Sequence, residues 1–193
     1  MRNIILASSS PRRKDLLKQI KLPFEIIPSE IEEDISKLIG NPSEKAEQLA
    51  YQKASDVAKK VQKGIVLGAD TIVVIDDDIL GKPKDSEDAY NMLKKLSGKE
   101  HEVITGICLI DLDNDTELIQ HETTIVQFAE LDDEKIRAYI KSGEAFDKAG
   151  SYAAQGVGAI FVKAIKGCYS NVVGLPLTRL SNMLEMLQET VIR

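Results

Sequence analysis

The sequence predicts an α/β fold, a mixed β-sheet flanked by helices. Three observations carry this. Apolar or alternating runs at 3–7, 65–75, 101–112 and 117–128 are interleaved with segments whose apolar residues recur at three- and four-residue spacing. Two polar turns, Asp76-Asp77-Asp78 and Asp113-Asn114-Asp115, join strand to strand with no room for a crossover, which demands antiparallel pairs. No repeat or low-complexity linker interrupts the 193 residues, so a single domain over residues 1–193 is expected. Hairpins within an alternating order favour a mixed sheet over a regular doubly wound one.

Each element has its own warrant. Residues 3–7 are a short buried strand. Ser10 then stands as an N-cap before Pro11, and Leu16, Leu17 and Ile20 give the following helix its apolar stripe. Residues 24–28 alternate weakly as a second strand, and the acidic stretch 29–41 reads as loop. Asn41-Pro42 opens a long helix to about Val61. Its stripe is Ala46, Leu49, Ala50, Lys53, Ala54, Val57 and Val61, with Lys53 the odd member. Residues 65–75 form a strand that returns through 79–83. Asp85 caps a helix carrying Ala89, Met92, Leu93 and Leu96, and Leu131-Asp132 starts another. A glycine-rich stretch, 150–158, leads into a strand over 159–165, and Pro176 begins the last helix.

The bulk numbers exclude several classes. A net charge of −6 argues against general nucleic-acid binding, which needs a basic face. No run approaches the roughly 20 apolar residues of a membrane span. The run Ile4-Ile5-Leu6-Ala7 is too short for a signal-peptide core and runs into two arginines. Cys108 and Cys168 lie far apart in no C-x-x-C pattern, as expected of small core residues in a reducing compartment. A cytoplasmic protein is expected.

Four segments could carry chemistry. In Ser8-Ser9-Ser10-Pro11-Arg12-Arg13, a strand enters a serine turn and a helix start, where unpaired N–H groups and the helix dipole attract anions. Arginines in a first turn oppose that dipole, which makes better sense with a phosphate bound. The alternative is a capped surface helix. Asp70 interrupts the apolar strand 65–75; such a carboxylate must be paired, hydrogen-bonded or metal-bound, and could serve as a general base. Gly68 and Ala69 are expected to leave ligand room beside it. Lys82, in Gly81-Lys82-Pro83, falls within about two positions of Asp70 across the expected hairpin. It is a phosphate ligand there, or else an ordinary exposed lysine. In 146–156, glycine and alanine permit close backbone approach, and Gln155 offers a donor and an acceptor to a base edge; the alternative is a flexible surface loop. Glu32 and Lys53 are weaker by sequence alone, one among many solvated carboxylates and one able to snorkel. No Walker A, G-x-G-x-x-G, H-E-x-x-H or nucleophile-elbow pattern occurs.

Together these segments, with Val173-Gly174-Leu175-Pro176, closely resemble the Maf family of nucleoside triphosphate pyrophosphatases nearly end to end. The resemblance implies an elongated, inosine-triphosphate pyrophosphatase-like fold with two lobes around a central cleft. It implies hydrolysis of a nucleoside triphosphate to the monophosphate and pyrophosphate, assisted by a divalent metal, Mg²⁺ or Mn²⁺. Asp70 matches the family's proton acceptor. Arg12, Thr71 and Gln155 match positions linked to base selection, and Ser8, Arg13, Glu32, Lys53 and Lys82 match the polar and phosphate-binding lining. The run Asp147-Lys148-Ala149-Gly150 with Gln155-Gly156 resembles the branch acting on dTTP and UTP. Catalysis would fall to Asp70, Lys82 and Glu32, with Asp70 and Glu32 as metal ligands. A homodimer rests on the resemblance alone. Two other functions stay open: a nucleotide sensor or septum inhibitor with little turnover, and a house-cleaning hydrolase of modified nucleotides.

Overall fold

A computed structural model gives the fold and describes residues 2–191. The sheet is mixed, as expected, with seven strands. Strand β1, Ile4–Leu6, lies parallel between β2, Phe24–Ile26, and β3, Ile65–Ile75. Beyond β3 come β5, Glu100–Asp111, then β6, Thr116–Phe128, and finally β7, Val162–Lys166, antiparallel to β6. The short β4, Asp78–Leu80, returns antiparallel along the end of β3. Six α-helices are described: α1 (Pro11–Gln19), α2 (Pro42–Ala58), α3 (Ser86–Leu96), α4 (Asp133–Lys141), α5 (Tyr169–Val173) and α6 (Leu177–Met186).

The chain forms two compact units, each assembled from separate stretches. The first takes the chain up to Asp70, residues 105–122, and the chain from Gly174 onward; the second takes 71–104 and 123–173. Strands β3, β5 and β6 each begin in one unit and end in the other.

In the first unit α2 lies almost backbone to backbone on the sheet. A Cβ at Gly68 of β3 would stand 2.1 Å from the Ala50 carbonyl oxygen, and one at Gly106 of β5 would stand 2.2 Å from that of Ala46. Ala50, Ala54 and Val57 fill the remaining space against Ile5, Ala7, Val66, Cys108 and Ile110. The expectation that Gly68 leaves ligand room is therefore corrected: the helix backbone occupies it. Cys108 sits in this core as a free thiol, pushed up to about 12 by burial.

The second unit packs α3 and α4 over β3–β4 and β6, with Phe128, Tyr139, Tyr152 and Phe161 meeting edge to face.

Local chemistry explains the element ends. Asn41 and Glu44 form a reciprocal capping box on α2. Asp85 accepts from the Asp88 amide and Asp132 from the Lys135 amide, as their positions predict. Helix α2 stops at Ala58, short of Val61. The first hairpin turns on two residues, Asp76 and Asp77, both at positive φ, so Asp78 already belongs to β4. The expected strand over 159–165 starts later. Gly156 adopts φ 68°, a 3-10 turn runs through Gly156–Phe161, and β7 begins at Val162. The five-residue α5 was not anticipated, being shorter than any periodic signal.

Candidate active site

A charged cluster in the first unit gathers most of the expected residues. Lys53 projects from the middle of α2 and is 7 % exposed. Its ammonium lies 2.5 Å from Asp70 Oδ1 and 2.8 Å from Glu33 Oε1. Asp70, 6 % exposed on β3, is thus paired, as an ionised carboxylate within an apolar strand must be.

Glu33 is the residue that sequence reasoning overlooked. Glu32 was expected in this lining, but it stands exposed on the loop while its neighbour reaches Lys53. The loop is set by a second α2 side chain, Asp56, one turn beyond Lys53. Asp56 accepts from the Ser29 hydroxyl at 3.1 Å and the Glu30 amide at 3.0 Å. Lys60 joins the same knot through Glu30 and Asp56, and these contacts lower the Asp56 carboxyl. Helix α2 therefore presents Lys53 and, through Asp56, the loop that supplies Glu33. The available signal was Asp56, an acid three residues from the odd lysine on the same helix.

The serine–arginine turn forms the next wall. Ser10 occupies the N-cap position of α1, but its side chain makes no capping bond. Ser8 does the local work: its Oγ accepts from the Ser10 amide at 3.2 Å and from Arg13 Nη1 at 3.1 Å. Arg13 Nε donates to the Gly174 carbonyl at 2.8 Å. Burial lowers the Arg13 guanidinium, while the charges of Asp70 and Glu33 oppose that shift and Arg12 adds to it. These five side chains thus share one electrostatic field. Three cations (Arg12, Arg13, Lys53) and two carboxylates (Asp70, Glu33) contribute to it.

The second unit holds the other expected residues. Thr71 follows Asp70 on β3 and is half-buried. The β3–β4 ladder pairs Val73 with Leu80 and ends there, so Lys82 lies two residues beyond it, exposed. Gln155 is exposed ahead of the 3-10 turn. Among the described residues, no group of three or more His, Cys, Asp or Glu could hold a metal ion by itself.

The sequence model of a family described as Maf-like protein matches residues 3–187. The chain belongs to the Maf family. Among its relatives within and beyond that match, a dTTP/UTP pyrophosphatase of Ruminiclostridium cellulolyticum is 83 % identical over all 193 residues, covering 100 % of both chains. A second, from Carboxydothermus hydrogenoformans, is 54 % identical over 92 % of this chain and 94 % of its own. Two solved structures are similar at a TM-score of 0.46 each. The Ham1 protein of Staphylococcus aureus has 18 % identity over 67 % of this chain and 73 % of its own. A nucleoside-triphosphatase described as a dITP/XTP pyrophosphatase, from Mycobacterium abscessus, has 14 % over 96 % and 97 %. No helix among the described residues of this family member is long and apolar enough to cross a membrane.

Proposed function

We propose that this chain is a nucleoside triphosphate pyrophosphatase acting on dTTP and UTP. One observation carries the reading: Asp70 is buried on β3 within the field of Lys53 and Arg13, in a chain 83 % identical to a dTTP/UTP pyrophosphatase. Residues 1–193 act as one functional domain, in the cytoplasm, and as a homodimer.

The substrate is a polyanion, so positioning and charge neutralisation dominate its chemistry. Arg13, braced by Ser8 and Gly174, contributes its positive charge to the phosphates, and Arg12 and the first amides of α1 add donors. Lys53 engages one oxygen of Asp70, and the other takes the proton of the attacking water. The water oxygen bonds to the α-phosphorus, the α–β bridging bond breaks, and pyrophosphate departs with its electron pair. Lys82 steadies the departing phosphates. Thr71 and Gln155 meet the base, Gln155 suiting an edge that carries both N3–H and a carbonyl.

Asp70 with Glu32 or Glu33 would hold a divalent cation, Mg²⁺ or Mn²⁺, together with substrate oxygens. The donor set fits, because Mg²⁺ is ordinarily bound by one or two carboxylates plus substrate phosphates rather than by an all-protein cage. The bound ion supplies further neutralisation of charge on the phosphates.

The test is to incubate purified protein with dTTP, UTP, CTP, dGTP and 7-methyl-GTP in Mn²⁺ and measure pyrophosphate. Release from dTTP and UTP at the highest kcat/KM is expected. Binding with no pyrophosphate would sink the hydrolase reading and favour a sensor.

A further inference from the structure

A glutamine is not selective by itself. Its amide carries a donor and an acceptor, and rotation by half a turn lets the same side chain meet a uracil edge or a cytosine edge. What the fold can set is the place from which Gln155 reaches the base, and that requires the segment beneath it to be held.

The second unit holds that segment from several sides. Gly150 and Ser151 both adopt left-handed backbone, φ 66° and 62°, and Ser151 does so while fully buried. A non-glycine residue keeps such a conformation only where its surroundings enforce it. The Gly150 amide donates to the Gly81 carbonyl at 3.1 Å, tying the segment to the residue before Lys82. A Cβ at Gly150 would sit 3.1 Å from the Val73 side chain, so β3 presses on it directly. Farther along, Gly158 folds back on Ala153, where a Cβ would lie 2.7 Å from the carbonyl oxygen. The Glu144 carboxylate accepts from the Val157 amide at 3.2 Å.

Between these points lies a polar contact in the apolar core. Tyr152 Oη and His101 Nε2 are 2.7 Å apart, at 5 % and 3 % exposure. His101 meets Phe128 edge to face at 4.9 Å between centroids, and Tyr152 does so at 4.6 Å. Burial pushes His101 down to about 4, so the ring is neutral at physiological pH. Its other nitrogen, Nδ1, has no hydrogen-bond partner among the described residues. A core built for packing alone would place phenylalanine at 101, because an unmatched buried polar atom is costly. The histidine is explained by what its other nitrogen does for Tyr152, three residues before Gln155.

We propose that the buried His101–Tyr152 hydrogen bond is a positioning device that fixes the backbone from which Gln155 reaches the base and so supports the preference for uracil- or thymine-type bases over cytosine. It rests on the reading of this chain as a pyrophosphatase that meets the base with Gln155. Neither residue touches substrate.

The test compares wild type with Tyr152→Phe, His101→Phe and His101→Gln. Tyr152→Phe removes a single oxygen from the ring, which guards against the case in which His101→Phe fails to fold. The readouts are kcat and KM for UTP and CTP, and calorimetric binding of the non-hydrolysable α,β-imido analogues of both. The two phenylalanine variants are expected to lose at least roughly tenfold of the UTP-over-CTP preference with little change in kcat on UTP, and His101→Gln to recover part of it. The inference is overturned if both phenylalanine variants keep the wild-type preference, if only kcat falls, or if wild type itself binds both analogues equally. A wild type that binds the UTP analogue preferentially yet releases no pyrophosphate sinks the hydrolase reading, while the analogue preferences still decide the role of the pair.

Discussion

Lys53 and Asp70 answer each other's desolvation: removing Lys53 takes away the ion-pair partner of the buried Asp70, whereas removing Asp70 leaves Lys53 with Glu33 alone. Replacement of Asp70 by Asn keeps the shape and a hydrogen-bonding oxygen for Lys53 but cannot accept a proton. We expect kcat on dTTP to fall by ~10²–10⁴ with a smaller change in KM. Near-full turnover in Asp70→Asn would remove Asp70 from the proton-acceptor role. His101 yields a prediction of a different kind. Its folded pKa, about 4, lies below the ordinary 6.5. Between those values the unfolded chain binds a proton that the native chain refuses. This contribution is therefore intact above pH 6.5 and is lost as pH falls towards 4. Between pH 7 and pH 5 it amounts to about 2 kcal/mol. Urea midpoints should drop over that interval in wild type, and the drop should largely vanish in His101→Phe. An equal drop in the variant would assign the effect to other groups.

At the scale of elements, α2 is the piece on which the charged cluster depends. It rests on two glycines, Gly68 and Gly106, whose missing side chains let Ala50 and Ala46 touch the sheet through their carbonyls. Lys53 is one turn beyond Ala50 on the same helix. Gly68→Ala should lift α2 and carry Lys53 away from Asp70. We expect a loss of about 3 kcal/mol in denaturant unfolding and a fall in kcat/KM of roughly 100-fold. Unchanged stability and activity would mean that the helix does not set the lysine. Much of this element could be read from sequence: Asn41-Pro42 marks its start, and Lys53 interrupts its stripe. The purpose of Gly68 could not, because a strand glycine signals close approach without saying whether a ligand or a helix approaches. Glu33 was hidden for a related reason. Which of two adjacent acids meets Lys53 depends on where the Asp56 tether, a contact 26 residues away, holds the loop. The strand placed over 159–165 begins only at Val162, because apolar composition before it conceals a 3-10 turn led in by a left-handed glycine.

The whole molecule joins distant parts of the chain. Strand β1 pairs Ile4 with Ile65, and each compact unit draws on separated stretches. Mixed folds rich in such non-local pairings form their nucleus slowly, because loop-closure entropy is spent before contacts repay it. Stopped-flow refolding of wild type should fall in the millisecond-to-second range; a microsecond phase carrying the full amplitude would contradict the topology. The mixed sheet was legible in the sequence from its hairpins, and two lobes were implied by the resemblance, but the assembly of each unit from separate stretches was not legible, since β3, β5 and β6 run from one unit into the other with no break in their apolar pattern.

The carbonyl that braces Arg13 belongs to Gly174, 161 residues farther along the chain. At roughly 5–20 residues per second, a ribosome needs on the order of 8–30 s to bring the two into existence together. Through that interval Arg13 lacks the acceptor that later helps to bury it, and α1 cannot reach its final setting. The serine–arginine turn is encoded near the start of the message and finished only after translation has passed residue 174. A nascent chain stalled before that point carries every other residue of the charged cluster, yet should hold triphosphate poorly.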